Sequence, residues 1–485
     1  MSESPTTAPE RKSQRSRLTG TLGVFGVVLL VVAAAAPLTA IGGALPVMLA
    51  IGNGVATPMT YVVSALVLLL FSVGYSAMSR YVVDAGAFYA YVTAGLGHRM
   101  GTGAAGLALL GYTAIQLAIY ALAARTFGGL IVRWGGPDIP WWVWAAVLVA
   151  VVALLGYRSI DLGTRVLGVL LLLEVAVVLV LSIAILVRIG WTGIRFDSFA
   201  PQNFFDGSPG IAIMFAIASF VGFEATAIYG EEARNPRRTV PVATYTAIVA
   251  IAVFYAFASW TIVLANGNEA VVGAAQENTS GLVFDTAGRY LGSAASEMVS
   301  VLLLTSLFAA LLAFHNAIAR YLYSLGRKGI LPARLSHTHH RHGSPYLGSA
   351  VQTVSALVAL AVFALGGADP ILQIFSWMSG VSTVCILILM ILVSSSVIVF
   401  FRKSGRDDRR WHTLIAPVLG TIGLLGILTL VLSNFTTLIG GSGSIAIILL
   451  GSVVVVFVGG VGVYRSTPVP DDAPLSPRRT PTDIE

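Results

Sequence analysis

The chain has 485 residues, 56% hydrophobic and 11% charged, with a mean hydropathy of +0.86. Soluble domains carry roughly 25% charged residues, so composition alone excludes a soluble globular protein and points to a polytopic membrane protein. The single cysteine, Cys385, excludes a disulfide or a cysteine metal site within one chain, and the net charge of +7 leaves nucleic acid to be judged from where the charges sit.

Residues 1–20 are polar and basic, with "RKSQRSR" at 11–17, and read as a disordered cytoplasmic tail. The first apolar stretch, 22–50, is far longer than a signal-peptide core and reads as an uncleaved membrane span. Apolar stretches long enough to cross a bilayer, roughly 20 residues each, fall near 22–50, 60–79, 102–131, 140–157, 166–189 and 209–230. Six more fall near 240–265, 294–325, 347–366, 371–401, 412–434 and 442–464. A helix satisfies its own backbone in hydrocarbon, so each run predicts a helix. The expectation is an all-α polytopic membrane protein: a transporter domain over 21–464 and a disordered cytoplasmic tail over 465–485.

With the N-terminal tail placed inside, 24 of the 29 lysines and arginines fall in cytoplasmic segments. The opposite side receives only Arg125, Arg133, Arg188, Arg195 and Arg289. This split predicts both termini in the cytoplasm, and the expected location is the plasma membrane. The basic excess is spread over loops facing anionic lipid, which argues against nucleic acid.

Span 1 reads "AAAAPLTAIGGALPVMLAIGNG", with Pro37 and Pro46 around Thr39, Gly42 and Gly43. Interior prolines remove backbone hydrogen bonds, and transporters bind small solutes at helices interrupted in this way. Span 6 is the second interrupted candidate, at Phe220-Val221-Gly222-Phe223-Glu224. Ordinary helix packing is the alternative for any one of these glycines and prolines.

"FVGFEATAIYGEEARNPRRTVPVAT" (220–244) resembles the span 6–loop–span 7 signature of the amino acid–polyamine–organocation transporters. "AGAFYAYVTAGLG" (85–97) is similar to the start of that family's third helix, "FHNAIARYLYSLGRKGILP" (314–332) to the end of its eighth, and "WMSGVSTVCILILMIL" (377–392) to its tenth. The resemblance implies a LeuT-like fold of 12 transmembrane helices. Spans 1–5 (about 22–189) and 6–10 (about 209–401) would be inverted repeats, with spans 11–12 (about 412–464) added. It implies transport of an amino acid or amine with H+ or Na+. Anchored on Pro46, the family's Gly-Ser-Gly falls on Thr39-Ala40-Ile41, whose amides would receive a substrate carboxylate, with Gly42-Gly43 as the other place for the break. Anchored on Gly329 and Pro332, Phe314 falls where members place an aromatic ring against substrate. The expected substrate-binding set is therefore Thr39, Ala40, Ile41, Gly42, Gly43, Phe220, Val221, Gly222 and Phe314.

Three titratable residues inside spans are the coupling or gating candidates. Glu224 is read as a proton or gate site in a wet cavity, or else as a structural hydrogen-bond acceptor. Glu174 stands where many members carry a lysine, and would bind a cation, relay a proton or pair with a donor. His315 is a buried, hydrogen-bonded histidine or a proton relay. His337, His339, His340 and His342 read as a solvated loop and not a metal site, and Trp141, Trp142 and Trp144 as an interfacial belt. Glu231, Glu232, Arg234, Arg237 and Arg238 are expected to form cytoplasmic salt bridges with other loops. No Walker-type GxxxxGK[ST] stretch occurs, so the expectation is a secondary permease without cofactor, metal or enzymatic activity. A membrane-integral enzyme would need convergent ligands at one depth, and a channel a filter-like segment; neither pattern is in the sequence.

Overall fold

Runs of Leu, Val, Ile and Ala that no water can solvate close their own backbone hydrogen bonds, and a computed structural model of the chain is built of such helices. It describes residues 23–82, 88–158, 164–228, 233–339 and 344–463. The tails 1–20 and 465–485 lie outside the described residues, as do Glu231, Glu232, His340 and His342.

Among the described residues ten helices are long and apolar enough to cross a membrane: α1 (Val24–Ile51), α2 (Gly54–Met78), α3 (His98–Arg133), α5 (Gly168–Ile189), α7 (Arg237–Asn266), α8 (Ser293–Arg327), α9 (Tyr346–Leu365), α10 (Pro370–Ser404), α11 (Trp411–Leu438) and α12 (Gly443–Val463). Two further apolar helices are shorter, α4 (Trp141–Tyr157) and α6 (Pro209–Phe220). Every expected apolar stretch thus corresponds to a helix, and the short ones are the fourth and sixth.

Helix α3 is the most buried, packing against α8, α10 and α12, whereas few residues of α12 are fully buried. Helix α1 lies against α5 and α7, and α7 also covers α2. Residues 85–97 do not simply open the third helix. Phe88–Leu96 is a separate helix, ended by Gly97 at φ +90° before α3 begins at His98. Two other short helices follow α7. Val271–Glu277 packs on the C-terminal end of α1, where Gln276 Nε2 donates to the Ala50 carbonyl at 2.9 Å. Leu282–Leu291 turns Leu282, Val283, Phe284 and Ala287 inward.

The sparse basic residues gather at this same end of the bundle. Arg188 Nη1 donates to the Arg289 carbonyl at 2.7 Å, and Arg133 Nη2 to Ser300 Oγ at 2.8 Å. Of the expected aromatic belt, Trp142 is half exposed but Trp144 packs edge-on against Phe127, with ring centroids 4.7 Å apart.

Candidate functional site

The discontinuity in α1 lies upstream of the residues expected from the sequence. The helix runs Val24–Ala34, Ala35 closes the last turn on the Val31 carbonyl at 3.0 Å, and Ala36 adopts a left-handed conformation at φ +46°. Pro37 then starts the second piece, at the first helical position, where its missing N–H costs nothing. Proline disfavours a helical residue before it, which is why the chain breaks at Ala36 and not at Thr39–Ile41 or Gly42–Gly43. The amides of Thr39 and Ala40 both donate to the Ala36 carbonyl, at 2.9 and 3.3 Å. Ala40–Ala44 forms a widened π turn just ahead of Pro46, whose ring would collide with a regular helical carbonyl one turn back. Gly42 and Gly43 serve packing there. A Cβ on Gly43 would sit 2.5 Å from Leu122 Cδ2, and one on Gly42 3.1 Å from Leu303 Cδ2.

Helix α6 breaks where the sequence suggests. It ends at Phe220, Val221 is extended at ψ 130°, Gly222 takes φ +114°, and helix resumes over Ala225–Ile228. Only glycine adopts that conformation without strain. The two breaks also meet: a Cβ on Gly222 would lie 3.2 Å from the Ala34 carbonyl carbon and 3.3 Å from the Ala35 nitrogen. Tyr255 of α7 spans both, its hydroxyl 3.2 Å from the Ala35 carbonyl and 3.2 Å from the Ser219 carbonyl. These are C-terminal carbonyls that a broken helix leaves without an intrahelical donor.

Each break also holds one of the expected acids. Glu174 Oε2 accepts from the Leu38 amide at 3.4 Å and from Ser306 Oγ at 3.0 Å. Glu224 Oε2 accepts from the Gly222 amide at 2.8 Å and Oε1 from the Tyr112 hydroxyl at 3.3 Å, while its carbonyl accepts from Tyr75 at 2.8 Å. Both carboxylates are buried, at 4% and 3% exposure, so neither meets lipid. His315 stands apart from the breaks. Its Nε2 is 2.8 Å from Ser349 Oγ on α9, and Gly156 of α4 makes room for its ring. His337 Nδ1 lies 2.8 Å from the Arg334 carbonyl, and the His339 ring packs against Tyr157 and Tyr346.

Between the breaks is a small cavity of about 50 Å³, room for a few water molecules. Of the residues expected to bind substrate, Thr39, Ala40, Val221 and Phe314 line it. Ile41, Gly42, Gly43, Phe220 and Gly222 do not, and neither do Glu174, Glu224 and His315. Phe220 is fully buried with its ring on Tyr255, at 5.9 Å between centroids. Sequence reasoning missed the walls supplied by Ile115 and Ile119 of α3, Phe215 of α6 and Phe375 and Ser379 of α10, along with the tyrosines that hold the breaks. Their signal was weak, because an isoleucine four residues from another reads as ordinary core. A second cavity, about 1100 Å³ and polar, opens at the end of α1 beside Asn53, Arg195, Asp197, Asp206 and Glu269. Ala44 borders the inner cavity and Leu49 the outer one, and Leu45, Val47 and Met48 between them are fully buried.

Two broken helices around a small cavity suit a carrier, and comparison with known proteins gives the lineage. The chain is 25% identical over 409 residues to the branched-chain amino acid permease BcaP of Lactococcus lactis, covering 76% of this chain and 79% of that protein. It is 24% identical over 447 residues to the protein of the same name in Bacillus subtilis, covering 85% and 87%. A low-affinity putrescine importer of Escherichia coli is 22% identical over 312 residues, covering 63% of this chain and 66% of its own. Residues 26–473 match the family described as amino acid permease, a stretch that takes in both breaks and every helix from α1 to α12 except the first two residues of α1, and the chain belongs to that family.

Proposed function

We propose that this protein is a secondary transporter that carries an amino acid or a related amine across the plasma membrane by alternating access, with both termini in the cytoplasm. In this reading residues 21–464 form the transporter unit and all twelve helices span. The fold is LeuT-like, with α1–α5 and α6–α10 as inverted repeats and α11 and α12 appended. The observation that carries the reading is the contact of the two breaks, Gly222 against Ala34–Ala35, beside a small cavity. Family membership supports transport as such, and relatives named for branched-chain amino acids and for putrescine support the substrate range. The 24-to-5 partition of basic residues supports the orientation.

Substrate lies against Thr39, Ala40, Val221 and Phe314. Ile41, Gly42, Gly43, Phe220 and Gly222 hold the broken helices around it. The buried layer between the two cavities is the outer gate, and rocking of the bundle opens it. Glu174 and Glu224 are the coupling groups, because each accepts an amide at the rim of one break and loses acceptor charge when protonated. The single hydroxyl proton of Tyr255 is shared between the paired carbonyls, which would otherwise suit a cation, and this favours H+ over Na+ as the coupling ion. His315 fixes α8 against α9. The chain carries no activity beyond transport in this reading and needs no cofactor.

The test is uptake of labelled amino acids and putrescine into proteoliposomes holding the full chain. Uptake driven by an inward proton gradient and abolished by a protonophore is the expected result. No uptake of any of them under either a proton or a Na+ gradient would overturn it.

A further inference from the structure

Residues 402–410, which close α10 and lead into α11, carry Arg402, Lys403, Arg406, Arg409 and Arg410 against two acids, the densest basic run in the chain. One of the acids is spent inside the run. Arg409 donates to Asp407 through Nε (2.9 Å to Oδ1) and Nη2 (2.6 Å to Oδ2), and through its backbone N–H at 3.1 Å. Its Nη1 is left without a bond to any described residue, on a side chain 47% exposed. Arg402, Lys403, Arg406 and Arg410 are exposed and form no ion pair with a described residue.

The run is held in shape from both sides. Gly405 ends α10 in the left-handed conformation, at φ +58°. The Tyr81 hydroxyl donates to the Arg406 carbonyl at 3.2 Å, and the Arg406 guanidinium lies over the Tyr81 ring, 5.9 Å from its centroid. The amides of His412 and Thr413 donate to the Arg409 carbonyl at 2.9 and 3.1 Å, which fixes the loop to the first turn of α11. Helix α2 packs against that turn, and Arg80, two residues beyond its end, adds a further positive charge.

Beyond the run, α11 continues as an apolar stripe. Trp411, Ile415, Leu419 and Ile422 are 44–61% exposed and stand at i, i+4, i+8 and i+11, on one face of the helix. The other face is packed: a Cβ on Gly420 would lie 3.0 Å from the Phe71 nitrogen of α2. At 1.5 Å per residue the stripe is about 16 Å long. Half the hydrocarbon core of a bilayer is roughly 15 Å.

We propose that this loop and the first turns of α11 bind an anionic phospholipid, its phosphate on Arg406, Arg409 and Arg410 and an acyl chain along Trp411, Ile415, Leu419 and Ile422. Guanidinium groups suit a phosphate because they donate in a planar fork, and Asp407 already orients one of them. A free phosphate would meet the cations and leave the stripe uncovered. A neutral lipid would cover the stripe and leave the cations unpaired. The site goes beyond transport and holds whichever solute the carrier moves.

The experiment is photo-crosslinking of the full-length protein in detergent with phosphatidylglycerol carrying a photoreactive headgroup, followed by peptide mapping. In wild type the label is expected between Arg402 and Ile415. Unlabelled phosphatidylglycerol is expected to compete at a concentration about tenfold or more below that of phosphatidylcholine with the same chains. Glycerol phosphate, which has the charge and no chains, is expected to be weaker than phosphatidylglycerol by about tenfold or more. Arg406→Gln, Arg409→Gln and Arg410→Gln together are expected to cut labelling about tenfold or more. Arg237→Gln, Arg238→Gln and Arg334→Gln together remove the same charge from other exposed loops and are expected to leave it unchanged. Should the first variant fold poorly, the position of the label and the competition in wild type decide alone. Label spread evenly over the basic loops, or lost equally in both variants, reduces the run to diffuse surface charge and overturns the site. Equal competition by glycerol phosphate makes it a phosphate site and equal competition by phosphatidylcholine removes the headgroup's part, and either overturns the proposal. None of these outcomes touches the transport reading.

Discussion

The backbone amide of Leu38 donates to the carboxylate of Glu174 at 3.4 Å, joining the rim of the break in α1 to the middle of α5. The same oxygen accepts from Ser306, so one acid ties α5 and α8 to the buried N-terminal end of the second half of α1. A helix N-terminus carries N–H groups without intrahelical acceptors and partial positive charge, which is where a carboxylate is best placed. Glu224 repeats the arrangement at the other break, on the Gly222 amide. Each acid is thus part of the break's structure before it is anything else, and the expected outcomes of mutation follow from that.

Glu174→Ala leaves the Leu38 amide and the Ser306 hydroxyl buried without an acceptor. An orphaned buried donor costs about 1–3 kcal/mol, so the melting temperature of the purified protein falls. Glu174→Gln keeps an acceptor oxygen and melts closer to wild type. Identical melts for wild type and the alanine variant would mean that the contact carries no weight.

Glu224→Gln preserves an acceptor for Gly222 and Tyr112 but cannot titrate. Substrate binding persists, the pH dependence of transport in proteoliposomes flattens, and net proton-driven uptake drops more steeply than counterflow exchange. A wild-type pH profile in this variant would remove Glu224 as the titrating group and leave Glu174 in that role.

Gly222→Ala forces a side chain into φ +114° and against the backbone of Ala34 and Ala35. Strain of this kind costs about 1–3 kcal/mol, and the two breaks must move apart, so both the melt and the transport rate fall. Gly43→Ala is milder, because the atom it meets, Leu122 Cδ2, is the free end of a side chain. If Gly43→Ala proves the more damaging of the two, the junction of the breaks is not where the constraint lies.

Single cysteines at Thr192 and Gly441, both exposed, react with an impermeant thiol reagent added to intact cells. One at Thr338, exposed at the other end, reacts only after permeabilisation. The native Cys385 is fully buried and gives no background. Labelling of Thr338→Cys in intact cells would reverse the orientation.

The sequence by itself determined what depends on neighbours along the chain. Runs of apolar residues set the helices within a few residues, and the arginines marked one end of the bundle. Gly222 marked the break in α6, because only a glycine accepts its backbone. The acids Glu174 and Glu224 stood out because a charge inside an apolar run needs a reason. What the sequence could not settle depends on residues far apart in it. The break in α1 falls at Ala36, ahead of Pro37, but that Gly222 of α6 packs against Ala34 and Ala35 beside it cannot be read along the chain. Glu174 reaches a partner 136 residues away, and Tyr255 bonds carbonyls 220 and 36 residues away. Helical periodicity says which face of a helix is apolar, but not which other helix will face it. Only tertiary packing brings two breaks and two acids to one place.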